Sequence, residues 1–198
     1  MKTTFKIKGL LVLFAAGLIS ACHSEKPVQE NDGEVITDVT LSFQELDASN
    51  NPVGTPFGFT ASDPEGIEGG GTPTIETINI VKGKKYRMTV EFYNGVAMED
   101  ITEEVQEESD AHQLFFLGTA FDSNILSIQY ADAGGIDLGL VNLLTVSSSP
   151  GTNNTSIRIV LRHDLDKNYP GASNPNFANF VQAGGETDLD LTFPVVIN

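Results

Sequence analysis

Residues 99–116 read EDITEEVQEESDAHQLFF, and seven of the twelve residues from Glu99 to Asp110 are acidic. His112 follows two positions later. If a helix runs through this stretch, its 3.6-residue period places Glu104, Glu108 and His112 on one face, at i, i+4 and i+8. Carboxylate and imidazole ligands together suit Zn²⁺ or a similar borderline divalent cation. The like-charge pairs Glu103–Glu107 and Glu104–Glu108 each cost about 0.2–0.5 kcal/mol in a bare helix. A bound cation reverses that sign. The other reading is a solvated helix face whose charges serve solubility.

His163 shares the parity of Ile157, Ile159 and Leu161, which points it toward a core face at the end of a strand. It is either a core-edge residue bonded to a backbone carbonyl or a further ligand, since structural zinc sites take four. The glycine-rich loop 62–71 carries Asp63, Glu65 and Glu68 but lacks the D-x-D-x-D-G spacing of a calcium loop. Enzymatic signatures are absent: no G-x-S-x-G, no H-E-x-x-H and no cysteine in 35–198. The expectation is therefore a non-enzymatic protein.

The elements that must position these groups follow a period of two. Val39, Leu41 and Phe43 alternate with polar residues, as do Tyr86, Met88, Val90 and Phe92, then Ile157, Ile159 and Leu161, and finally Leu189, Leu191, Phe193, Val195 and Ile197. Such runs are half-buried strands. Weaker strand signals fall near 55–61, 75–81, 114–118, 125–131 and 138–147, with Gly, Pro and Asn turns between. The pattern predicts an all-β fold: an antiparallel, immunoglobulin-like β-sandwich of eight or nine strands over 35–198, with a closed barrel as the alternative. Tyr86, opening its strand after a turn, has the placement of a tyrosine corner, in which the hydroxyl bonds back to upstream backbone. It reads equally as a strand tyrosine with its tip in water. One short helix is expected over 100–110, with Asp100 as N-cap, Glu103 as its capping-box partner and Ile101 and Val105 as a narrow apolar stripe.

The N-terminus has the layout of a targeting segment. Lys2, Lys6 and Lys8 precede the apolar run 10–19, which is too short to span a bilayer as a resident helix. It ends in I-S-A-C, and Cys22 is the one cysteine of the chain. This resembles the lipobox of bacterial lipoproteins, so 1–21 is expected to be a signal peptide, Cys22 the lipidated residue, and 22–34 a polar tether to the domain. Of the 11 Lys and Arg residues, three lie in 1–21, which leaves 8 against 27 Asp and Glu and a net charge of −19. So acidic a chain is repelled by nucleic acid and suits a cation or a basic partner.

The lipobox, the S-D-P-E-G turn at 62–66, the stretch 99–116, L-R-H at 161–163 and A-G-G-E-T-D at 183–188 together resemble a family of small lipoproteins of flavobacterial-type Gram-negative bacteria. The similarity runs over most of 35–197. Members are often catalogued under the label "type 1 periplasmic binding fold superfamily protein". That label describes a two-lobed α/β structure, whereas the residues here carry nine strand signals and one short helix. The resemblance implies a lipoprotein of the cell envelope, held in the outer membrane through Cys22. Two functional expectations follow. One is a cation or small-ligand capture accessory acting beside an outer-membrane receptor; the other is a structural or adhesive module that docks a basic partner.

Overall fold

The alternating runs are extended, each with its apolar parity turned inward. A computed structural model describes residues 35–198; the signal peptide expected over 1–21, Cys22 and the tether to residue 34 lie outside the described residues. The elements run β1 (Asp38–Leu46), β2 (Phe57–Ser62), β3 (Thr74–Ile75), β4 (Ile78–Ile80), β5 (Lys85–Asn94), β6 (Glu99–Asp100), α1 (Ile101–Glu107) and β7 (Gln113–Leu117). The single-turn α2 (Thr119–Asp122) follows, then β8 (Leu126–Tyr130), β9 (Val141–Val146), β10 (Asn154–His163) and β11 (Glu186–Ile197). Each of the nine sequence signals has become a strand, joined by the two-residue β3 and β6.

Two sheets form. One has the order β3-β2-β1-β5-β9-β8, with β6 on the end of β5; the other has the order β4-β11-β10-β7. All pairings are antiparallel except β4 with β11. Neither sheet closes on itself, so the architecture is the sandwich and not the barrel. Val39, Leu41 and Phe43 of β1 and Met88, Val90 and Phe92 of β5 meet Ile157, Ile159 and Leu161 of β10 and Leu189 to Ile197 of β11 in one buried cluster. Tyr86 is buried, and its hydroxyl accepts a hydrogen bond from Val81 N–H at 3.2 Å, five residues upstream. The hydroxyl thus bonds back to upstream backbone, as a tyrosine corner does.

The alternation fails on the outer face of the second sheet. Val160 and Arg162 share the outward parity of β10, yet both are buried. The long connection from Asp164 to Gly185 folds back over this face and lays Leu165, Phe180 and Ala183 against Phe115, Leu117 and Val160. Periodicity cannot foresee a cover supplied by an irregular segment.

A second departure lies in β11. The ladder pairs Leu161 with Leu189 but Arg162 with Thr187, so Asp188 is an extra residue in a β-bulge. A bulge re-aims one side chain. Asp188, on the same parity as the half-exposed Asp190, is instead only 6% exposed.

Candidate metal centre

Asp100 caps α1 as expected, its Oδ1 accepting from Thr102 N–H at 3.0 Å. Ile101 and Val105 are buried. Thr102 fastens the helix to β5, its hydroxyl accepting from Phe92 N–H and donating to Phe92 O. The helix ends sooner than expected, at Glu107. Glu108 is its C-cap, and the N–H groups of Ala111 and His112 both donate to Glu108 O. The turn carries His112 inward under Glu108, at the entry to β7. Lys167 braces it from the long connection, its ammonium donating to Ser109 O at 2.7 Å and His112 O at 2.9 Å. Partial burial holds the Lys167 ammonium below its usual range, opposed by Asp137, Asp132 and Asp110.

The two histidines expected to share a site do meet. The His112 and His163 rings stack with centroids 4.4 Å apart and planes 19° from parallel. His112 is fully buried, and His163 Nε2 lies 4.0 Å from Glu108 Oε2 and 3.6 Å from Asp164 Oδ1. One ligand atom from each of Glu108, His112 and His163 lies within 4.8 Å of the others. Glu108 is half exposed, which gives an ion a way in. Glu104, exposed on α1, is not part of this group. With the helix stopped at Glu107, the i, i+4, i+8 alignment that would have joined it to His112 is not continued.

Both ring nitrogens of His112 face oxygen. Nδ1 is 3.3 Å from Glu108 O and 3.8 Å from Glu108 Oε2, and Nε2 is 3.7 Å from Asp188 Oδ2. A neutral imidazole carries one N–H and presents a lone pair on the other nitrogen. A divalent ion turns lone-pair-against-oxygen contact into shared ligation. Ligands at 2.0–2.1 Å around tetrahedral zinc stand roughly 3.3 Å apart, so the Glu108 contacts must close by about half an ångström or a little more. Lone pairs lie in the ring plane, and two nearly parallel planes cannot share one ion. The His163 side chain, 12% exposed at the rim, is the less enclosed of the two.

Sequence reasoning missed Asp188, because alternation assigns it to the solvated face. Its signal is the preceding Gly184–Gly185 pair. Gly185 has φ +73°, and a Cβ there would overlap His163 O, so the start of β11 is pressed against the end of β10 where the bulge forms. Arg162 fills the outer side of this junction. It donates to Gly184 O and Gly185 O at 2.5 Å each and to the Thr187 hydroxyl. Burial disfavours its charge, and Asp188 and Glu186 favour it.

No protein family model, curated protein or solved structure matches the chain.

Proposed function

We propose that the protein is a lipid-anchored protein of the cell envelope whose sandwich domain captures a divalent cation, zinc or one like it, at Glu108, His112 and His163. The observation that carries the reading is the convergence of two histidines, one from the turn before β7 and one from the end of β10, onto one carboxylate at the rim of the sandwich. A mixed nitrogen and oxygen donor set suits a borderline metal ion. The I-S-A-C sequence supports the anchor, and the acidic surface supports attraction of cations over nucleic acid. Such a protein holds its ion beside an outer-membrane receptor and does no chemistry on it.

Thermal unfolding of the purified full chain with and without Zn²⁺ tests this. A specific site adds about 2.7 kcal/mol at a hundredfold excess of free ion over Kd. The expected result is a saturable rise in Tm that His163→Ala removes. An equal rise in wild type and variant, or none in either, overturns the reading.

One feature favours a second reading. Glu99, Asp100, Glu103, Glu104, Glu107 and Glu108 line a shallow acidic concavity along α1, a surface suited to a basic partner. Docking there is weakened by salt and indifferent to zinc.

A further inference from the structure

We propose that Asp188 is the positioning residue of this site: with the ion bound it accepts a hydrogen bond from His112 Nε2–H, which leaves the Nδ1 lone pair, on the Glu108 side, for the ion. The inference rests on the ion site proposed above and assigns the ligating atom within it. Three observations carry it. The bulge adds one residue to β11 just where the strand passes His112, and that residue is an aspartate. Its carboxylate is nearly enclosed, 3.7 Å from Nε2, on the opposite edge of the ring from Glu108. The Arg162 guanidinium lies within electrostatic reach on the outer side, so the buried carboxylate is not isolated among apolar groups.

Two acceptors compete for the one proton of a neutral ring. Glu108 O stands 3.3 Å from Nδ1, whereas Asp188 Oδ2, 3.7 Å from Nε2, lies beyond hydrogen-bond length and must close by about half an ångström to accept. A hydrogen bond to an ionised acceptor is roughly twice as strong as one to a neutral carbonyl, so the carboxylate decides the tautomer. Metal-bound histidines commonly donate their second N–H in this way, and loss of the acceptor weakens metal affinity about 10- to 100-fold.

The test uses the full chain loaded with Zn²⁺ or with Cd²⁺ as an NMR-active substitute. Nitrogen NMR of the His112 ring should show a proton on Nε2 and coupling of cadmium to Nδ1. Zinc titration of Asp188→Asn should show affinity lower by about 10- to 100-fold, with partial recovery in Asp188→Glu. Coupling through Nε2, or an Asp188→Asn affinity within about twofold of wild type, overturns the role of Asp188 while leaving the ion site standing. Absence of saturable zinc binding in wild type overturns both. Should Asp188→Asn fail to fold, the wild-type ring spectrum decides alone.

Discussion

Glu104 and Glu108 are the same residue type one helical turn apart, and the end of α1 separates them. Glu108, as C-cap, leans over His112 and His163; Glu104 belongs to the acidic outer surface of the helix. Glu108→Gln should lower zinc affinity by about tenfold or more, a loss of about 1.4 kcal/mol or greater. Glu104→Gln should stay within about threefold. Parallel zinc titrations check this, and equal losses would place the ion on the helix surface instead. At this scale the sequence carried the two histidines and Glu108, because each sits at a position that local rules describe: a strand end, a helix end, a core parity. It did not carry Asp188, because a bulge arises from how two strands meet and leaves no periodic trace in either.

At the scale of elements, the brace from Lys167 ties the turn after α1 to a segment that has almost no regular structure. Hydrogen bonds from a charged donor contribute about 1.5–3 kcal/mol each when well buried, and less when partly solvated as here. Lys167→Met keeps the aliphatic stem and removes both bonds. It should cost about 1–2 kcal/mol and speed amide exchange in 109–113, with strands β1 and β5 unaffected; unchanged exchange there would show that the turn stands without it. The strands themselves were legible, since alternation of the kind in 189–197 has one structural meaning. The length of α1 was not. Nothing in the acidic run marks Glu107 as its end, which is set by the need to bring the buried His112 and Gln113 into β7. Nor was the buried outer face of β10 legible, because its cover comes from Leu165, Phe180 and Ala183, scattered among glycine, proline and asparagine.

For the whole molecule, the sandwich class follows from counting strand signals without helices between them, and the two sheets agree with that count. The acidic surplus and the I-S-A-C sequence bear on where such a domain works. Among the described residues no helix is long and apolar enough to cross a membrane; the anchor proposed above is the lipid on Cys22. Replacing it, Cys22→Ala, should release the protein from the membrane fraction or leave an unprocessed precursor. Fractionation of the variant as mature lipidated protein would refute the anchor.

The strand order of the smaller sheet also sets a timetable. β11 follows every other described element in the chain, yet it lies between β4 and β10 in the interior of its sheet and supplies Leu189, Leu191, Phe193, Val195 and Ile197 to the core. Until those residues are in place, the first sheet holds its apolar face with much of its counterpart missing. β4, made more than a hundred residues earlier, has no strand to lie against until β11 arrives. Pairings so distant in sequence form slowly, and exposed strand edges in the interval invite aggregation. A chain that lacks β11 is therefore expected to expose these edges and aggregate.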